Sequence, residues 1–262
     1  MTTPVKPALV AGGVIFALLV PASAESSLPG RCSGVMGIAH RGTTVQGHTE
    51  NTIASFTDAL KLGADAVETD VAITKDGRFM LMHDPTLDRT TTGTGRISNR
   101  ISGYVRNHRT NDGGRVPFLR GALATVRRAG GRMFLEMKRS PYWNQAKVEQ
   151  FTNTIKAERM GANVVVVAPR SLLPMMNTAA PQMQTSWKDP AVLTAKFIRR
   201  YADGAVTSRL RAINVQGMHR AGLKVWARHA DTKPRWQRSV ERHMDGIYTD
   251  HIIALVKWCR TG

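Results

Sequence analysis

Cysteine, acidic side chains and long apolar runs are all scarce in this sequence. Two cysteines in 262 residues exclude a disulfide-dense mini-domain, and no zinc-finger spacing is present. Only 19 Asp and Glu stand against 37 Lys and Arg, a formal net charge of +18. That excess predicts attraction to something anionic without saying what: nucleic acid, an acidic membrane or wall, or a phosphate substrate. No helix-turn-helix is identifiable, so specific nucleic-acid recognition has no support. There is no internal repeat, no low-complexity tract and no linker that would split the chain. At 42% hydrophobic residues, with 23 Gly and 12 Pro spread along it, the composition is that of a domain able to bury a substantial core, and it excludes disorder and collagen.

One apolar run exists, and it is short. Lys6 precedes Ala8 to Val20, which is interrupted by Gly12 and Gly13 and ends at Pro21-Ala22-Ser23-Ala24. At ~1.5 Å per residue such a segment does not cross a ~30 Å hydrocarbon layer, and small residues at 22 and 24 suit signal peptidase. The reading is a signal peptide over residues 1–24 and one mature domain over 25–262, secreted to the extracellular side. Arg31 before Cys32 argues against lipidation. Removing the leader takes one lysine and no acid, so the positive charge belongs to the folded protein. Cys32 and Cys259 lie near the two ends of that domain, in a compartment that permits disulfides, and are expected to be bonded.

Short runs rich in Val, Ile and Ala alternate with stretches of helical period, the pattern of a mostly parallel α/β domain. Nine strands are expected: 35–39, 66–71, 79–83, 133–138, 164–167, 184–186, 204–206, 224–228 and 246–249. Helices are expected between most of them, among them 52–62 and 141–160. The link from Val71 to Phe79 is too short for a helical crossover, and Lys75-Asp76-Gly77 is a turn signal, so this pair forms a hairpin. The longest irregular stretch, Pro85 to Pro117, has the length of loops that cover sites.

The residues that carry chemistry are concentrated early. Strand one ends in Ala39-His40-Arg41-Gly42; Glu50-Asn51-Thr52, Glu68-Thr69-Asp70, His83-Asp84 and Glu136-Met137-Lys138 follow. Residues two apart in a strand share a face, so Glu68 and Asp70 project together, as do Glu136 and Lys138. Three carboxylates on otherwise apolar strands need cations around them. An all-oxygen set suits one hard divalent ion, Ca²⁺ or Mg²⁺. Two histidines at strand ends supply groups that exchange protons near neutral pH. Arg41 and Lys138 supply fixed charge for phosphate oxygens.

In this order and spacing the five motifs resemble the glycerophosphodiester phosphodiesterases, as do Leu87 to Gly95 and Asp245-Gly246-Ile247-Tyr248-Thr249-Asp250. The resemblance is dense from Val35 to Lys138, returns from Gly222 to Asp250 and is thin between. It implies a distorted (β/α)8 TIM barrel with its site at the C-terminal strand ends. It further implies Glu68, Asp70 and Glu136 as metal ligands, His40 and His83 as the acid-base pair, and Arg41 and Lys138 on the phosphate. Glu50 would orient Arg41 or another group in contact with the metal or substrate, and Trp226 would line the substrate pocket. The implied substrate is a small glycerophosphodiester, the implied products an alcohol and glycerol 3-phosphate.

Some positions depart from the family pattern. His229 stands where Asn is common, Thr49 replaces a Pro, and Arg120-Gly121 follow Pro117-Phe118-Leu119 where acids are usual. Two other functions remain in play. One is a phospholipase D or sphingomyelinase D type lipid enzyme on the same barrel, although its motif after the first His lacks this Arg-Gly. The other is an idle barrel that binds polyanions. The histidines outside the pair, including His48 and His229, are read as surface or structural. The protein is expected to be a monomer, and its basic exterior to draw phosphodiesters, an anionic wall polymer or a membrane surface toward the barrel mouth.

Overall fold

The computed structural model of the protein describes residues 28–261; the leader read at residues 1–24 lies outside them. Each of the nine expected strands forms: β1 (Met36–Ala39), β2 (Ala66–Ile73), β3 (Phe79–Leu81), β4 (Arg132–Met137), β5 (Val164–Ala168), β6 (Thr185–Lys188), β7 (Gly204–Thr207), β8 (Lys224–Ala227) and β9 (Gly246–Thr249). Eight of them pair in parallel in the order β1-β9-β8-β7-β6-β5-β4-β2, and β1 pairs with β2 to close the ring. β3 runs antiparallel to β2 and stands outside the ring. The expected distorted barrel is thus present, with the distortion where the short Lys75-Asp76-Gly77 turn placed it.

The helices are α1 (Ile53–Lys61), α2 (Ser102–Asn107), α3 (Leu119–Arg128), α4 (Gln145–Ala157), α5 (Leu173–Ala179), α6 (Ala195–Ile198), α7 (Val215–Arg220), α8 (Lys233–Glu241) and α9 (Ile252–Arg260). α1 is closed by a capping box: Thr52 accepts from the Ser55 N–H, and the Ser55 hydroxyl accepts from the Thr52 N–H. α4 starts later than periodicity suggests. Trp143 donates its indole N–H to the Lys138 carbonyl at 2.8 Å, which holds residues 141–143 as a turn, and Asn144 then caps the helix. The 85–117 stretch contains α2 and a small apolar core of its own built on Leu87, Ile97, Val105 and Val116, against Ala72, Met80 and Met82.

Two-residue alternation sorts every barrel strand. Val67, Val71, Leu135 and Val225 join the large cluster that the helices cover. Ile38, Ala66, Phe134, Val165, Val167, Val206, Trp226 and Tyr248 fill the lumen. Trp226 is the bulkiest of them, and two glycines make room for it. A Cβ on Gly204 would lie 2.7 Å from its ring, and one on Gly246 would lie 3.0 Å from it.

Asp65, Asp203 and Asp245 each immediately precede a strand. Each accepts the backbone N–H of a neighbouring strand, from Gly37 at 2.7 Å, Thr185 at 2.8 Å and Val225 at 2.7 Å. Charge-assisted bonds of this kind fix strand register at the rear of the barrel.

Cys32 and Cys259 are bonded across 227 residues, tying the chain ahead of β1 to α9. The Arg31 guanidinium lies over the Trp258 ring at 4.8 Å beside the bridge. A loop of that length corresponds in the chain-entropy account to ~4–5 kcal/mol. Replacing both cysteines by serine should therefore lower thermal stability by several degrees, read as the midpoint of a calorimetric scan; an unchanged midpoint would show that the cross-link contributes nothing.

Candidate active site

The lumen changes character one residue pair above its apolar filling. Ala66 and Phe134 lie in the plug; two and four residues further along β2 come Glu68 and Asp70, and two further along β4 comes Glu136. Asp70 and Glu136 are register partners. All three carboxylates are buried, and one oxygen from each lies within 4.8 Å of the other two.

The loops after β1 are built to serve this cluster. Arg41 and Gly42 both adopt left-handed backbone, φ +57° and +84°, and a Cβ on Gly42 would lie 2.8 Å from the Ser55 backbone. This tight turn brings the Arg41 N–H to 3.0 Å from Glu68 Oε2. The positive φ of Arg41 is strain held at a site, as is that of Asn51, also +57°. Each residue of Glu50-Asn51-Thr52 has a separate task. Glu50 accepts from Arg41 at 3.3 Å and from Arg89 at 2.7 Å. Asn51 donates to Asp70 Oδ2 at 3.0 Å while its carbonyl oxygen accepts from the Thr69 hydroxyl and the Asp70 N–H. Thr52 caps α1.

Cations surround the acids unevenly. Lys138 lies 3.0 Å from Glu136 and 3.2 Å from Asp70, and Lys188 at the end of β6 also donates to Glu136. Burial would raise the Glu136 pKa, but the two lysines outweigh it and bring it down to about 2. Glu68 has no such partner. Burial, with the Asp70 charge beside it, pushes its pKa up to about 8. Three further polar atoms are buried without a protein hydrogen-bond partner: Arg41 Nε, 3.4 Å from Asp70 but not aligned to donate to it, and Ser186 Oγ and Tyr248 Oη on lumen-facing positions. An all-oxygen cluster short of positive charge at Glu68, with unsatisfied polar atoms around it, fits a hard divalent cation and an oxyanion.

Two histidine-aspartate pairs flank the cluster. His40 follows β1, and its Nδ1 lies 2.7 Å from Asp250 Oδ1, with Nε2 3.8 Å from Glu68. His83 follows β3, and its Nδ1 lies 2.7 Å from Asp84 Oδ1. A carboxylate only accepts, so each Nδ1 carries the proton and each Nε2 is left to exchange one. Burial disfavours protonated His40, but Glu68 and Asp250 outweigh it and raise its pKa. Arg89 bridges Asp84 and Glu50 and so ties the second histidine to the Arg41 clamp; its hydrogen bond holds the Asp84 carboxyl well below the usual range.

His40, Arg41, Glu50, Glu68, Asp70, His83, Glu136 and Lys138 therefore converge. Trp226 does not. Alternation places it in the lumen plug against Phe134, ring centroids 5.4 Å apart, where it borders a cavity at the opposite end of the barrel; Arg228, two residues on, is the side chain that reaches the site end and pairs with Asp189 at 2.7 Å. The expectation that Trp226 lines the substrate pocket is corrected accordingly. His229, read as surface or structural, has its ring 5.7 Å from that of His40. Lys188 was missed because strand six was ended at Ser186; extending it by two residues would have put Lys188 on the lumen face. Asp250 closes the Asp245-Gly246-Ile247-Tyr248-Thr249-Asp250 segment, and residue order alone assigns it no role.

Beside His83, Lys138 and Lys188 opens a cavity of about 740 Å³, within the range of small-molecule sites.

Residues 40–254 match the profile of the "Glycerophosphoryl diester phosphodiesterase family". A glycerophosphodiester phosphodiesterase of Caldanaerobacter subterraneus is 26% identical over 238 residues, which cover 86% of this chain and 98% of that protein. The crystal structure of a glycerophosphodiester phosphodiesterase from Parabacteroides distasonis superposes with a TM-score of 0.77 at 18% identity, over 86% of this chain and 97% of that one. An Oleispira antarctica phosphodiesterase, solved in complex with the product sn-glycerol-3-phosphate, gives 0.73 at 20% identity over 88% and 96%. The two structural likenesses establish the barrel.

Because Asp250 raises the His40 pKa, Asp250→Asn should lower it. The imidazole resonances of His40, followed by NMR across pH, are expected to titrate at lower pH in that variant; an unmoved midpoint would show that the 2.7 Å contact carries no coupling.

Proposed function

The chain belongs to the glycerophosphoryl diester phosphodiesterase family and is a glycerophosphodiester phosphodiesterase, and from that premise we propose a secreted, monomeric, metal-dependent enzyme that works by histidine acid-base catalysis. The observation that carries the reading is the buried Glu68, Asp70 and Glu136 cluster between two histidines, each fixed by its own aspartate.

Glu68, Asp70 and Glu136 would hold one Ca²⁺ or Mg²⁺. Bound there, it would supply Lewis-acid stabilisation of charge on the phosphoryl oxygens. Arg41 and Lys138 orient the phosphate. Arg41 brings a buried side-chain Nε–H without a hydrogen-bond partner, and the turn and Glu50 hold its side chain in place. One histidine takes the proton of the attacking oxygen through Nε2, and the other delivers a proton to the leaving alcohol, with Asp250 and Asp84 stabilising each imidazolium as it forms. Water added across the P–O bond gives the alcohol and glycerol 3-phosphate, and the two histidines end with their protonation states exchanged. Residues 8–24 support export, and the cationic exterior supports contact with an anionic wall polymer or membrane surface.

His40→Ala and His83→Ala should each lower turnover of glycerophosphocholine by ~10²–10⁴-fold, measured as glycerol 3-phosphate released. Near-normal turnover in both variants would remove the histidine assignment. Separately, chelation should abolish release, and adding back Ca²⁺ or Mg²⁺ should restore it; activity that persists in chelator would eliminate the metal.

A further inference from the structure

The 740 Å³ cavity extends from the catalytic end of the barrel under the 85–117 stretch. Glycerol phosphate alone would leave most of it empty. Met82, Ile97, Met137 and Leu172 give it apolar lining, and two solvent-exposed arginines, Arg96 and Arg139, also line it. The charged groups nearer the reacting centre are already matched: Asp84 with Arg89, and Glu136 with Lys138 and Lys188. Arg96 and Arg139 have no acidic partner among the described residues. The cavity therefore offers uncompensated positive charge to whatever extends beyond the scissile phosphate. A quaternary ammonium head group would find there one aromatic ring, Trp143, which is already stacked on Phe79 at 5.8 Å and met edge-on by Phe151, and the carboxylates Asp84 and Glu136, which already have cationic partners.

From this we infer that the cavity is a subsite for an anionic alcohol: the preferred substrate is a glycerophosphodiester whose leaving alcohol itself carries a further phosphate, held by Arg96 and Arg139. The inference rests on the proposed phosphodiesterase activity and names its substrate class. Guanidinium groups suit that ligand because each presents a planar pair of N–H donors to phosphate oxygens. Arg96 comes from the long 85–117 stretch and Arg139 from the segment that follows β4, so the second phosphate would be gripped from two separate segments.

The test is equilibrium binding by calorimetry to the full-length mature protein with divalent ions chelated. The ligands are glycerophosphocholine, 1,3-bis(glycerophospho)glycerol and a short glycerol phosphate oligomer. The bis-diester is expected to bind about tenfold more tightly than glycerophosphocholine, and the Arg96→Gln, Arg139→Gln double variant to bring that ratio to within about twofold of unity, as loss of charge-assisted bonds requires. Equal affinities in the wild-type protein, or a ratio unchanged in the folded double variant, would overturn the subsite. If the oligomer exceeds the bis-diester, the source is a polymer; if the two are equal, it is a deacylated anionic lipid. Turnover with divalent ions restored is scored separately. Failure there strikes the proposed activity and leaves the affinity ratio readable.

Discussion

Three carboxylates that share one layer of a closed barrel set the terms for the rest of the site. Each would be costly to bury charged and alone, and all three are buried. Their neighbours are cations or donors aimed at named oxygens: Lys138 at Asp70 and Glu136, Lys188 at Glu136, Asn51 at Asp70, the Arg41 N–H at Glu68. The left-handed turn at Arg41-Gly42 and the left-handed Asn51 are consequences of that demand. Backbone of this kind persists only when surroundings over-determine it, and here the carboxylates do so.

The same period of two that gathers the acids also builds the floor beneath them. Phe134 and Glu136 are one step apart on the same face of β4, as are Ala66 and Glu68 on β2, so the polar layer rests directly on an apolar plug. Closure of the ring is what makes the plug possible, since a lumen has no exposed edge strand and only one filling. Gly204 and Gly246 matter for the site through this route. By clearing space for Trp226 they let one indole fill the lumen that Phe134 and Tyr248 leave open, and Tyr248 in turn carries a hydroxyl toward the acids.

Much of this was legible from residue order. Strand positions followed from short β-branched runs, and the convergence of Glu68, Asp70 and Glu136 from alternation within two strands. The disulfide followed from two cysteines near the ends of a domain expected, from its apolar leader-like segment, to be exported. What escaped depended on knowing how far a strand runs and where a ring points. Lys188 was lost to a strand ended two residues early in a segment, Thr-Ser-Trp-Lys, that carries no β-branched residue beyond its first. Trp226 was misplaced because a resemblance fixes that a residue is present and does not fix its height in the lumen. The His229 contact joins residues 189 apart in sequence, and no local pattern encodes it.

The positive charge that stood out first has two destinations. Helices α1, α3, α4, α7, α8 and α9 all carry basic residues in the last turn and none carries an acid in the first. These helices return from the C-terminal to the N-terminal ends of the strands, so those cations lie at the rear of the barrel, where they complement the helix dipoles by ~0.3–1 kcal/mol each. From there they do little to steer a substrate. The 13 residues of α4 span about 20 Å at 1.5 Å each, against a screening length of ~8 Å in physiological salt. Attraction of a phosphodiester to the mouth therefore falls to the cations already at that end, Arg41, Lys138, Lys188, Arg96 and Arg139 among them. The rear charge is left to act on whatever surface the barrel's other end meets.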